Sequence, residues 1–252
     1  MCTVVVRVDP GAAWPVTVLA LRDESPDRPW DPPAAWWPER DPGVVGVRDQ
    51  QAGGAWLAAS DRAGLAVVLN RWEPTPGVDG TWSTRGTLPL DAVVDDVVPG
   101  ADGALPTSRA FNLVRATAEG AEVVTWDGAE VRTKALGPGV HMVTHGEPDD
   151  PAAPRIGRWL EAFRAVPAPT GPPTAEPADE LRTAPEDGWA PWFQVLAGST
   201  ALATDDRDAI LRDTVEPEGH FATLSIVAAA VGPGRTVLRH TRLAEPGELR
   251  PR

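Results

Sequence analysis

Through the first 150 residues apolar side chains recur at every second position in short runs, and most runs stop at a turn signal. A period of two sends successive side chains to opposite faces of a strand, so this pattern demands sheets. CTVVVRV puts Val4, Val6 and Val8 on one face with Cys2 at the same parity, and VTVLAL (16–21) follows the turn DPG. GVVGVRD, GGAWLAAS, LAVVLNR, FNLVRAT, AEVVTWD and AEVRTKAL continue the series, with DRAG, EG and DG among the connections. Links this short join antiparallel neighbours, so the runs read as a meander.

Other segments break the alternation. SPDRPWDPPAAWWPERDPG (25–43) reads as a long ordered loop, because proline has no amide donor and restricts the residue before it. Helical spacing appears in LPLDAVVDDVV (88–98) and more clearly in RIGRWLEAFRAV (155–166), each a cover for a sheet face. The proline- and acid-rich stretch 167–191 reads as a linker or irregular cover. HFATLSIVAAAV and TVLRHTRL flank Gly232-Pro233-Gly234 and predict a closing hairpin over 220–243, its long apolar run marking a central buried strand. A chain of 252 residues can bury a sizeable core, and a single domain over 1–252 is expected.

Charge and cysteine content narrow the function classes. With 36 acidic against 23 basic residues the net charge is -13, which repels phosphate backbones and anionic lipid, so neither a nucleic-acid partner nor membrane insertion is expected. One cysteine forms no intramolecular disulfide, and no charged leader or long apolar run stands near Met1; a soluble protein of the reducing cytoplasm is expected. Abundant Ala, Gly, Pro and Arg beside a single lysine, Lys134, reads as the codon bias of a GC-rich genome, and a bacterial source is expected.

Taken in order, MC at the start, RDE after the second strand, GGAWLA, the Asn closing LAVVLN, STRG and FNL resemble the NRDE family, also called the transport and Golgi organization 2 family. The resemblance implies an α+β fold, a four-layer αββα sandwich of two antiparallel sheets like that of the N-terminal nucleophile hydrolases. It also implies chemistry. Loss of Met1 would leave Cys2 with thiol and α-amine on one residue, and the amine could take the thiol proton. Arg22 would then favour thiolate, Asp23 would anchor the amine, and Asn70 would donate to a tetrahedral oxyanion. Trp56 would wall the pocket, and Arg85 would face a carboxylate or phosphate of the substrate. Two positions depart from the family pattern: Leu21 replaces the asparagine of the name, and His145 stands where relatives carry a Ser-Asn pair.

The activity implied is hydrolysis of a non-peptide carbon–nitrogen bond, or acyl transfer from an amide or thioester. The alternative is a non-catalytic carrier of haem or acyl-coenzyme A, walled by Trp14, Trp36, Trp37 or Trp56. Plain structural readings stand beside these: Cys2 as core, the Arg22-Asp23-Glu24 run as a strand end or ion pair, Asn70 as a turn former, and the indoles as pins for their loop. His141 and His145 bracket HMVTH on a strand leading to a turn, where the pair shares a face at wider separation than it would on a helix, which argues against a shared metal. No metal or resident cofactor is expected, with haem only as a ligand.

Overall fold

The apolar runs pair into two antiparallel sheets in a computed structural model that describes residues 2–73, 82–174, 188–217 and 219–249. The seven-stranded sheet is the meander, with β3 (Trp30–Ala34), β4 (Val45–Asp49), β5 (Ala55–Ser60), β6 (Gly64–Asn70), β7 (Phe111–Ala116), β8 (Ala121–Trp126) and β9 (Val131–Leu136) lying in chain order. The six-stranded sheet draws on both halves of the chain. Its order is β10 (Gly139–Val143), β1 (Thr3–Val8), β2 (Val16–Glu24) and β12 (Gly219–Gly232). The far edge of β12 is divided between β11 (Asp213–Glu216) and β13 (Arg235–Arg242).

Alternation decides what each face meets. Val4, Val6 and Val8 join Val16, Val18 and Ala20 in the core shared with Leu57, Leu65 and Val67 of the other sheet, and Cys2 belongs to the same cluster. The intervening residues Val5, Leu19 and Leu21 pack on α2 (Pro154–Ala165) and α3 (Ala190–Gly198) through Ile156, Phe163, Trp192 and Phe193. Each such side chain contributes about 1.5–3 kcal/mol on burial. Leu90, Ala92 and Val93, in α1 (Leu88–Leu90) and the π turn after it (Asp91–Asp95), cover β5 and β6. The layers therefore run helix, sheet, sheet, helix.

The proline-rich loop expected over 25–43 instead contributes strand β3. It is an edge strand, where missing donors face no partner, and its register breaks between Asp31 and Ala34, where Pro32 and Pro33 fall. The helix expected over 88–98 is shorter: α-helical bonding covers Leu88–Leu90 only, and the π turn ends at Asp96 in the left-handed region, φ 55°. The helix expected over 155–166 forms as Pro154–Ala165. Of the segment 167–191, residues 175–187 lie outside the described residues. Its described flanks are anchored: Thr17 Oγ1 donates to the Pro169 carbonyl at 3.1 Å, and Trp189 Nε1 to that of Gly171 at 3.0 Å. No helix among the described residues is long and apolar enough to cross a membrane.

Candidate active site

Where β1 begins and β2 ends, the layer between the sheets opens into a cavity of about 550 Å³ whose lining includes Cys2, Asp23, Asn70 and Arg85. Cys2 is 9% exposed, and its Sγ donates to the Asp23 carbonyl at 3.5 Å. Burial pushes the thiol up, the Asp23 carboxylate pushes in the same direction, and the Arg22 guanidinium opposes them. The resting group is thus a thiol that needs a base before it can attack.

Asp23 is the best-anchored group in the site. Oδ2 accepts from Arg155 Nη2 and Oδ1 from Thr223 Oγ1, both at 2.7 Å, and Arg155 Nη1 also donates to Thr3 Oγ1 at 2.7 Å. Burial works against the charged carboxylate, yet the Arg155 charge and these hydrogen bonds hold its pKa below the ordinary range. A bulge makes this possible. The β2–β12 register jumps from Arg22↔Ser225 to Asp23↔Thr223, which leaves Leu224 as the extra residue. Without that insertion Leu224 would stand opposite Asp23 and offer no donor.

Arg22 lies behind the cavity wall. It stacks over Trp30 at 5.5 Å, reaches Glu24 at 3.8 Å, and its buried Nη1 has no hydrogen-bond partner among the described residues. Burial lowers its pKa, with Glu24 and Cys2 opposing. Asn70 closes β6 and is exposed. The β5 ladder ends at Leu57↔Val67, whereas β7 pairs as far as Asn70↔Phe111, so one backbone edge beyond Val67 has no strand neighbour.

Two glycine motifs converge on Arg85. A Cβ on Gly54 would sit 2.5 Å from the Gly86 carbonyl carbon, so GGAW and STRG meet backbone to backbone and seat the Arg85 turn on the start of β5. Arg85 Nη1 donates to the Ala110 carbonyl at 3.0 Å. FNL contributes a tie between sheets: Asn112 is fully buried, donates to the carbonyls of Thr144 and Gly146, and accepts from Arg71 and Thr125.

The remaining sequence candidates stand elsewhere. Trp56 is buried in the core and does not line the cavity, whose indoles are Trp72 and Trp82. Trp14 packs under Arg235, Trp36 donates to the Pro32 carbonyl and Trp37 to that of Gly53, so Trp36 fastens its own loop and the other two tie theirs to neighbouring segments. His145 opens on an adjoining cavity of about 430 Å³ that shares Trp72, Arg212, Thr214 and Glu216 with the first. Burial lowers its pKa, and its Nδ1 has no hydrogen-bond partner among the described residues. His141 has both ring nitrogens engaged, Nδ1 with Asp149 at 2.6 Å and Nε2 with the Gly137 carbonyl at 2.8 Å.

Arg155 and Thr223, which fix Asp23, escaped the sequence reading, as did the cavity residues Arg71, Arg109 and Arg212. Arg155 is 132 positions from Asp23 and Thr223 is 200, distances at which no spacing rule operates. A charged residue on the apolar stripe of α2 is the one signal that could have marked Arg155.

The sequence pattern of the family described as Transport and Golgi organisation 2 matches residues 1–198. Curated protein sequences yield no match. Among solved structures, a similar chain is the C2A mutant of conjugated bile acid hydrolase from Clostridium perfringens, at a TM-score of 0.42 and 11% identity, with 96% of this chain and 92% of that one covered.

Proposed function

This chain belongs to the Transport and Golgi organisation 2 family, and on that footing we propose that it is a cysteine-dependent hydrolase or acyl transferase for a small amide or thioester. The observation that carries this reading is the meeting of Cys2, Asp23 and Asn70 in one cavity of about 550 Å³. Met1 lies outside the described residues; its removal frees the α-amine of Cys2. That amine takes the Sγ proton, and the sulfur attacks the substrate carbonyl. Asp23, fixed by Arg155 and Thr223, holds the resulting ammonium. Asn70 supplies a donor to the oxyanion. Collapse of the tetrahedral intermediate breaks the carbon–nitrogen or carbon–sulfur bond and returns the proton to the leaving group, giving a thioester on Cys2. Water, deprotonated by the same amine, then releases the acid and restores the thiol; an amine or thiol acceptor in place of water gives acyl transfer.

Intact mass and Cys2→Ala test the reading together. The expected result is a chain one methionine lighter whose Cys2→Ala form loses turnover of small amides and thioesters by at least about 10³-fold while still binding them. Retained Met1 together with unchanged turnover in Cys2→Ala would overturn it.

A carrier reading has one observation in its favour. His145, on the adjoining cavity, keeps a ring nitrogen free of hydrogen-bond partners among the described residues, whereas His141 does not. Haem held there would give an absorption band abolished by His145→Ala and untouched by Cys2→Ala. An acyl-coenzyme A carrier would show binding without turnover in both the parent chain and Cys2→Ala.

A further inference from the structure

Four arginines line the Cys2 cavity, and they divide into two kinds. Arg71 is matched by Glu73, with Nε to Oε1 at 3.0 Å, and by Glu147 at 3.1 Å; Arg212 faces Glu216 at 3.4 Å. Arg85 and Arg109 have no carboxylate within ion-pair distance among the described residues. Their neighbourhood is built to keep them together. Ser83 N donates to the Thr107 carbonyl at 3.1 Å, Thr107 Oγ1 to Ser83 Oγ at 3.0 Å, and Arg85 Nη1 to the Ala110 carbonyl at 3.0 Å, so the two arginine-bearing segments are stitched side by side. The Gly54–Gly86 contact fixes the same turn from behind.

Placing two guanidinium groups together is unfavourable unless something negative offsets them. Burial lowers the Arg85 pKa to about 10 and the Arg109 charge adds to the fall; the Glu24 carboxylate of the same cavity and, when ionised, Cys2 oppose it without offsetting it. In a chain of net charge -13 two arginines without an ion-paired carboxylate among the described residues stand out at the wall of the cavity. We infer that Arg85 and Arg109 form an anion subsite of the Cys2 cavity, and that the acyl donor carries a carboxylate or phosphate which they grip while its carbonyl lies at Cys2. The planar forks of two arginines suit either anion bidentately, and a lysine would not reproduce that geometry. This inference rests on the acyl-transfer reading for what the anion belongs to, and not for the existence of the subsite.

The test is calorimetric titration of the Cys2→Ala protein, in which chemistry is absent, with glutarate, inorganic phosphate and the neutral succinamide. Saturable binding of at least one anion, and none of succinamide, is expected. Preference for glutarate assigns a carboxylate donor and preference for phosphate a phosphorylated one. Arg85→Gln/Arg109→Gln should weaken that binding by at least about 10-fold, since each charge-assisted contact is worth that order. Arg109 is exposed, so Arg109→Gln alone tests the subsite without risk to folding and should weaken binding by about 3-fold or more. Absence of saturable anion binding to Cys2→Ala, or equal affinity in the arginine variants, would overturn the subsite. Anion binding without turnover in the parent chain would instead remove the hydrolase reading and leave the subsite standing.

Discussion

The two sheets are built by opposite strategies. Every strand of the seven-stranded sheet pairs with its neighbour in the chain, mostly through short connections, the long link 71–110 between β6 and β7 being the main exception. In the six-stranded sheet, β2 pairs with β12 across some two hundred positions, as in Asp23↔Thr223, and β1 pairs with β10 from Val4↔Val143 to Val8↔Gly139. Local pairing needs little loop closure; distant pairing must be held by contacts that outweigh a larger entropy loss. The long-range sheet carries its fastening polar groups inside: Arg155, Asp23, Thr223 and Thr3 are all buried. On the meander the ion pairs are peripheral, as where Arg132 meets Asp127, Glu130 and Glu147. The Cys2 cavity sits where the costly sheet ends, so the groups that close the fold also fix Asp23 in its wall.

The comparison breaks most visibly at Arg155. Arg155→Met strips the buried Asp23 carboxylate of its main counter-charge and should destabilise the chain by about 3–5 kcal/mol in urea unfolding. Adding Asp23→Asn should recover part of that loss, because no uncompensated charge is then buried. If the double variant is no better than the single, Arg155 acts by packing instead. Thr223→Val should cost about 1.5–3 kcal/mol, the value of one hydrogen bond to a charged group plus a backbone amide left unpaired at Arg212.

A subtler contrast comes from pH. His141, on β10 at the edge of the six-stranded sheet, has its pKa raised chiefly by the hydrogen bond to Asp149, against a smaller effect of burial. A raised folded pKa contributes stability that is fully present below the ordinary histidine value of about 6.5 and is lost as pH rises through the folded value. Burial opposes ionisation of Asp149, but the His141 ring and the Met142 amide hold its pKa down, so its own contribution fades as pH falls through the folded value. Midpoints of unfolding should therefore decline above neutral pH, and His141→Gln should flatten that decline. On the meander, Arg132→Ala should change stability by about 1 kcal/mol or less, since Glu130, Glu147 and Arg132 itself are exposed and only Asp127 is partly buried. A larger loss there would erase the distinction between the sheets.

How much was legible follows the same division. The meander strands stood in the alternation of GVVGVRD through AEVRTKAL, and the helix at Pro154–Ala165 stood in its spacing. Strand β3 did not, because Pro32 and Pro33 argue against strand until the sheet edge supplies a place where their missing donors cost nothing. Strand β11 and helix α3 were missed as well: DTVE is four residues long, and APWFQVLAG is apolar nearly all round, so neither displays a period. At the site, Cys2, Asp23, Asn70 and Arg85 were singled out in sequence and line one cavity; Trp56 was singled out and stands in the core.

The sequence alone determined antiparallel strands and their turns, because side-chain alternation and turn residues are local and act over a few positions; their division into two sheets was implied only by the family resemblance. The tertiary structure decided which polar groups meet. The Leu224 bulge put Thr223 opposite Asp23, α2 brought Arg155 onto the same carboxylate, and the contact of Gly54 with Gly86 seated Arg85 beside Arg109. Contacts across such separations depend on how layers stack and where a register slips, and neither leaves a repeat in the chain for a reader to find.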